Sequence, residues 1–304
     1  MRDFAGRGPH PPAVAWPDGR ALAVSFVVNF EEGAEFSVAD GDDRNEAVYE
    51  VIDRQAAVDP CIDSHFEFGT RVGWWRLADL FGAHDAPFTL SACGRAVERL
   101  PWLAQDAVAR GHEVSGHGWR WQTAAGLSEA AEREVIVRTK QAIAAATGRA
   151  PVGWHTRSSS TPHTRRLLVE EGFLYDSDAY NDDTPYFVGV DGRDGRRRPH
   201  LVLPYAFDSN DMQFQHTQRF ATGREFAEYV CDAADWLAQA GAAERGARRW
   251  PRLLSVGLHL RMIGRAGRIG AVERILEHLR RRGDAWIATR EQIARHWLAH
   301  DGSL

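Results

Sequence analysis

The sequence predicts an α/β fold, a parallel barrel or doubly wound sheet in one domain, on three observations. Short apolar runs rich in β-branched and aromatic residues alternate with longer stretches of helical spacing. No antiparallel hairpin signal separates the runs. Polar residues recur directly after them, where parallel sheets and barrels gather their chemistry.

Residues 1–20 hold several prolines, which lack N–H donors and restrict their neighbours, so an extended arm is expected before a domain spanning 21–304. Ala21–Val28 is too short for a helix and reads as a strand buried on both faces. A helical or irregular stretch over Asn45–Val58 follows, then an amphipathic helix marked by Trp74, Leu77 and Leu80. Pro87–Cys93 is a second buried strand, Glu98–Arg110 a helix stopped by Gly111, and Glu113–Ser115 a short strand. Ser128 supplies N-cap chemistry for a helix that Gly148 ends. Strand Val152–His155, helix Pro162–Glu171 and a strand near Tyr175 repeat the cycle. Asn181–His200, dense in Asp, Gly and Arg, reads as loop. Strand Leu201–Tyr205, helix Arg224–Gln239, strand Arg252–Leu258, helix Gly270–Arg282, strand Ala285–Ala288 and a closing helix complete the chain.

Bulk properties exclude several classes. A net charge of −5 gives no reason to invoke nucleic acid or an anionic membrane. The three cysteines are scattered and form no CxxC pair, against a disulfide scaffold or thiolate zinc site. The first nineteen residues lack the apolar core of a signal peptide, and no run reaches membrane-span length, so a cytoplasmic protein is expected.

The candidate chemistry lies after the strands. Glu31 and Glu32, flanked by Asn29 and Glu35, follow the first; His117, His155 with Arg157, Asp208 with Asp211, and His259 with Arg261 follow later ones. In a barrel these ends converge, and carboxylate beside imidazole suits general base and acid work on a water attacking a carbonyl. Each residue alone has an ordinary reading. His259 and His117 suit a core, Asp211 a turn, Arg261 an ion pair, and Trp121 a core. His65, His84, His112 and His163 read as surface or structural.

Several long strings then carry a resemblance. Val28-Asn-Phe-Glu-Glu-Gly-Ala-Glu35, Glu67-Phe-Gly-Thr-Arg71, His112-Glu-Val-Ser-Gly-His-Gly-Trp-Arg-Trp121, Pro151-Val-Gly-Trp154, Asn210-Asp-Met and Ser255-Val-Gly-Leu-His-Leu-Arg261 occur in order along the chain. The chain resembles the polysaccharide deacetylase (NodB-homology) family, most closely its metal-independent allantoinase branch. The resemblance implies an irregular (β/α) barrel, a homotetramer, and a hydrolase of non-peptide C–N bonds acting on a small molecule. It implies Glu31, Glu32, His259 and Asp211 as catalytic residues. The implied substrate-binding set is Asn29, Glu35, Glu67, Arg71, His117, Trp121, Trp154, His155, Arg157, Asn210 and Arg261.

Metal-dependent members bind zinc or a similar ion through an Asp and an H-x-x-x-H pair. Here His117 matches the first His, but Trp121 stands at the second, and an indole N–H cannot ligate a cation. No metal is therefore expected; if a divalent ion such as zinc bound, Glu32, His117 and His155 would be its ligands. Water activation then falls to Glu31 or Glu32 with a pKa raised by burial, assisted by His259. The branch's usual Gly-Trp-Tyr-Thr-Gly-Arg is replaced by Gly153-Trp-His-Thr-Arg-Ser158, which points to an altered substrate. The expected reaction is opening of a small cyclic amide, ureide or imide. A metal-dependent N-deacetylase and a non-catalytic binding protein on the same fold are the alternatives.

Overall fold

The computed structural model describes residues 3–47, 56–215, 220–243 and 250–301. The first apolar run becomes β1 (Leu22–Phe30), buried at every position and ending two residues later than its composition suggests. Of the stretch expected at 45–58, residues 48–55 lie outside the described residues. Next come α1 (Pro60–Phe68), a π-helical turn (Gly69–Gly73), α2 (Trp74–Ala83) and β2 (Thr89–Ala92). Then follow α3 (Gly94–Arg99), α4 (Pro101–Ala109), β3 (Glu113–Gly116), α5 (Glu129–Thr147), β4 (Gly153–Trp154), α6 (Thr164–Glu170) and β5 (Tyr175–Asp176). The remainder is β6 (Tyr186–Asp191), β7 (Arg197–Val202), α7 (Gly223–Ala243), β8 (Arg252–His259), α8 (Leu260–Ile263), α9 (Gly270–Arg282), β9 (Ala285–Ile287) and α10 (Arg290–His300).

The nine strands form one sheet in the order β6-β7-β5-β4-β3-β2-β1-β8, with β9 added to β1. On one edge β1 pairs with β8 along its length; on the other it pairs with β9 at Leu22–Val24 and with β2 at Val27–Phe30. The curled sheet is closed by the irregular chain after β7. Ser209 Oγ donates to the Ser255 carbonyl at 2.6 Å, Ser255 Oγ donates to the Pro204 carbonyl at 2.8 Å, and Asn210 bridges to Gly257. Gly257 permits that approach, since a Cβ there would stand 2.4 Å from Asn210 Nδ2. The expected irregular (β/α) barrel is therefore the fold observed.

Two elements differ from expectation. The predicted loop 181–200 contains the β6–β7 hairpin, paired antiparallel from Tyr186↔Val202 to Asp191↔Arg197. This edge ribbon is half exposed and carries ion pairs Arg197–Asp191 and Arg198–Asp194, so its strands wear the composition of a loop. The single helix expected over Glu98–Arg110 is two, broken at Leu100, because the residue before Pro101 is forced out of the helical region.

Alternation along β1 divides its side chains. Leu22, Val24, Phe26, Val28 and Phe30 join the main core under the helices, whereas Ser25 and Asn29 lie on the opposite, barrel-interior face. The lower interior is a polar plug. Arg290, at the start of α10, donates to Ser177 Oγ and Ser255 Oγ, each at 2.9 Å, and to the carbonyls of Leu203 and Pro204. Glu113 accepts from Thr89 Oγ1, Tyr175 O–H and the Glu291 amide at 2.7–2.8 Å. The N-terminal segment seals this end: Trp16 is buried, packs against Trp286 and Trp297, and donates to the Arg252 carbonyl at 2.9 Å.

Replacing Arg290 with Met strands several buried acceptors, each worth about 1–3 kcal/mol. Urea unfolding is expected to show a loss of roughly 3 kcal/mol.

Candidate active site

The parity of β1 separates the two glutamates. Phe30 faces the core, so Glu31 turns into the barrel mouth and Glu32 turns back toward the helical layer. Glu32 packs on the π-helical turn, where a Cβ on Gly69 would lie 2.3 Å from its Oε1. This explains the string Glu67-Phe-Gly-Thr-Arg71: its central glycine makes room for Glu32. Its charged ends pair with each other at the surface, 3.1 Å apart.

Glu31 is the hub of the site. Its Oε2 lies 2.8 Å from Arg261 Nη2, and its Oε1 lies 3.2 Å from His117 Nε2 and 3.5 Å from His259 Nε2. His259, the last residue of β8, is gripped by Asp211. Its backbone N–H donates to one carboxylate oxygen at 2.8 Å, and its Nδ1 meets the other at 2.6 Å. His117, directly after β3, donates from Nδ1 to the His155 carbonyl at 2.8 Å. Arg261 is wholly buried, its guanidinium 4.6 Å from the ring centre of Phe66 and 4.7 Å from that of Trp121. Arg157 covers Trp121 at 3.6 Å, so that indole lies in contact with two cations.

These contacts set the charges. Burial pushes the Glu31 carboxyl up, but Arg261, His259 and His117 together hold it well below the usual carboxylate range. Burial disfavours the His259 imidazolium, yet Glu31 and Asp211 raise it to about 9. A water-activating glutamate with a pKa raised by burial was the expectation for whichever residue faced the substrate. The raised group is Glu32, where burial outweighs Arg261 and the nearby Glu31 charge adds to it. The glutamate on the cleft is the acidic one, because Arg261 lies 2.8 Å from it against 3.5 Å from Glu32, and His259 and His117 face it as well.

The cleft these groups border holds about 250 Å³. Asn29, Glu31, His117, Trp121, His155, Arg157, Asn210 and His259 line it together. Asn29 donates to Tyr205 Oη at 2.9 Å and to the Leu258 carbonyl at 3.1 Å. Asp211 and Arg261 stand behind this lining through His259 and Glu31. Other candidates lie elsewhere. Glu32, Glu35 and Glu67 border a separate cavity on the far side of the β1 exit, where burial raises Glu35 to about 7. Arg71 is exposed. Trp154 packs on Phe173 and donates to Thr156 Oγ1, beneath the cleft. Sequence reasoning did not single out Tyr180, Tyr205 or Gln213, which also line the cleft. Tyr205 follows the same rule of polar residues after a strand; Tyr180 sits on irregular chain and Gln213 on a short 3-10 turn (Asp211–Gln215), neither with a periodic signal.

The donor set does not suit a metal ion. Among the described residues no three His, Cys, Asp or Glu side chains converge as ligands. His117 and His155 are stacked, ring centres 4.8 Å apart and planes 15° apart. Their lone pairs lie in nearly parallel planes and cannot meet on one ion about 2.0–2.1 Å from each nitrogen. Glu32, the third residue of that set, faces away. Positive charge reaches Glu31 from Arg261 instead.

A sequence profile described as polysaccharide deacetylase matches residues 55–172. A Schizosaccharomyces pombe protein described as "Putative polysaccharide deacetylase" is 36% identical, covering 98% of this chain and 97% of that one. The crystal structure of a probable polysaccharide deacetylase from Pseudomonas aeruginosa PAO1 is 41% identical with a TM-score of 0.90, each chain covered to 98%. The crystal structure of Puue allantoinase is also 41% identical, with a TM-score of 0.89 over 98% of this chain and 97% of that one. The chain belongs to the polysaccharide deacetylase family and is a hydrolase of carbon–nitrogen bonds other than peptide bonds. Among the described residues no helix is long and apolar enough to cross a membrane.

His259 binds its proton more tightly folded than at the ordinary imidazole value of 6.5. Its contribution to stability is therefore complete below pH 6.5 and is lost as pH rises through about 9. In kcat/KM profiles the alkaline limb is expected near pH 9, and Asp211→Asn is expected to move it at least about one unit lower.

Proposed function

We propose that this protein opens a small cyclic amide, ureide or imide, using water and no metal ion. The observation that carries the reading is a buried glutamate and a buried histidine facing one cleft, with Glu31 Oε1 3.5 Å from His259 Nε2. A water seated beside Glu31 loses a proton to that carboxylate as its oxygen adds to the ring carbonyl. His259 stabilises the developing oxyanion and then gives its proton to the departing ring nitrogen, while Asp211 holds the imidazole in place.

A carboxylate as acidic as Glu31 is a weak base, so the acid partner must carry more of the step. Burying Glu31 against His259 serves this, because the contact that lowers one group raises the other. Deprotonation of water and protonation of substrate then proceed as one push–pull event. Likeness to an allantoinase structure over nearly the whole chain supports ring opening, and the small cleft favours a metabolite over a polymer. The second reading, a metal-dependent N-deacetylase, is favoured by the family profile and the retained His117. We also propose a cytoplasmic homotetramer, an assembly supported by the resemblance and by exposed Trp236 and Trp75.

A panel of hydantoin, dihydrouracil, succinimide and N-acetylglucosamine, run with and without chelator, separates these readings. Opening of at least one ring at an unchanged rate in chelator is expected. Glu31→Gln and His259→Asn are each expected to lower kcat by about 10²–10⁴-fold, the range for a general acid or base. Activity confined to the N-acetyl compound and abolished by chelation would support the deacetylase.

A further inference from the structure

The string Phe173-Leu-Tyr-Asp-Ser-Asp178 ends on an acid that the proton transfers above do not use. Asp178 stands two residues past the end of β5, beside the chain that leaves β4. Its Oδ1 accepts the Thr156 N–H at 2.7 Å. The same peptide unit carries the His155 carbonyl, which accepts from His117 Nδ1 at 2.8 Å. One peptide therefore stands between a carboxyl group and an imidazole of the cleft, bonded at both ends. On the far edge of that imidazole, Nε2 lies 3.2 Å from Glu31 Oε1.

The arrangement grows out of the sheet. Across β3, β4 and β5 backbone pairs with backbone, Gly116 beside Trp154 and Trp154 beside Asp176. The ladder runs on with the His155 N–H on the Gly116 carbonyl and the Ser177 N–H on the Trp154 carbonyl. At the next peptide the side chains of His117 and Asp178 take the places of the neighbouring strands. Asp178 is itself anchored: its N–H donates to Asp176 Oδ1 at 2.9 Å, and its carbonyl accepts from Arg165 at 3.3 Å. Thr156 is held on its other side by Trp154 Nε1, which donates to its Oγ1 at 2.9 Å. The His155 ring also stacks on His117, planes 15° apart, so one residue secures both an edge and a face of that imidazole.

We propose that Asp178 is a positioning residue for the reaction: through the peptide joining His155 to Thr156 it holds His117 with Nδ1 as donor, so that Nε2 is presented to Glu31 at the cleft. The hydrogen bond at one ring nitrogen decides what the other offers. Bonds in series polarise one another, so an acceptor on the peptide N–H strengthens the carbonyl at its other end. A ring released from this bond is free to turn about its Cβ–Cγ axis and set a carbon against Glu31. The proposal rests on Glu31 as the group that takes the proton from water, because a held His117 fixes the direction of that carboxylate. Charge on Asp178 is not required. A carboxyl oxygen accepts in either protonation state, and burial with the neighbouring Asp176 charge raises this group to about 7. An asparagine offers the same oxygen at the same reach, and an alanine offers none.

The test uses Asp178→Asn and Asp178→Ala in the full chain, ¹⁵N-labelled at histidine, with His117 assigned by His117→Gln. Nitrogen NMR of the wild type is expected to show a proton on His117 Nδ1 that exchanges slowly with water. In Asp178→Ala that exchange is expected to quicken at least about tenfold, the scale of one lost hydrogen bond, and in Asp178→Asn to stay within about twofold of wild type. With hydantoin and dihydrouracil as substrates, the alanine variant is expected to lower kcat at least about tenfold with KM within about twofold. The asparagine variant is expected to recover most of that loss.

A wild-type His117 without a proton on Nδ1 would overturn the proposal, a result that needs no variant to fold. Unchanged exchange in Asp178→Ala would do the same, as would equal losses in both variants. So would a fall in kcat with the His117 signal unmoved, which marks a merely structural role. The expected NMR behaviour in a protein that opens neither ring would uphold Asp178 as the group that positions His117 and remove the ring-opening reading.

Discussion

The buried ion pair between Arg261 and Glu31 is the constraint on which the site depends. Removing both charges from water carries a penalty of several kcal/mol per ion, and it is offset only when geometry and further contacts are good. Here the 2.8 Å contact, the flanking Phe66 and Trp121 rings, and the histidines on the other carboxylate oxygen supply those contacts. The pair does more than hold charge. It fixes Glu31 as a carboxylate, and that carboxylate in turn helps keep His259 protonated.

Trp121 shows how a metal-ligand motif acquires a different job. At the position where metal-dependent relatives are expected to place a second histidine, the indole offers its π face to two guanidinium groups, Arg157 and Arg261. A cation is still delivered to the first-strand carboxylate, but it is a covalent part of the chain. The altered string after β4 belongs to the same change, since it brings Arg157 onto Trp121 and the unsatisfied His155 onto the cleft wall.

Much of this was legible in the sequence, through specific signals. The buried β1 run, the polar residue after each parallel strand and the loss of a histidine at Trp121 were enough to gather Glu31, His117, His155, Arg157 and His259. Which glutamate faces the cleft needed the true end of β1. Ending the strand at Phe30 sets the parity, and composition placed its end at Val28. Glu67 and Arg71 misled because their string matters for Gly69, a close backbone approach that has no chemical label. Tyr180 and Gln213 come from an irregular segment and a short 3-10 turn brought in by barrel closure, a long-range event without a local pattern. The β6–β7 hairpin was hidden by its surface charges, which are ordinary for an exposed edge ribbon.

The central claim, that the buried network holds His259 as an imidazolium beside an ionised Glu31, is most directly tested by nitrogen NMR of ¹⁵N-histidine-labelled protein, assigned with a His259→Gln variant. Both ring nitrogens of His259 should remain protonated through neutral pH and lose a proton only near pH 9. Arg261→Met, by removing the guanidinium that keeps Glu31 charged, should alter that titration. A neutral His259 at pH 7 in the wild type would contradict the account.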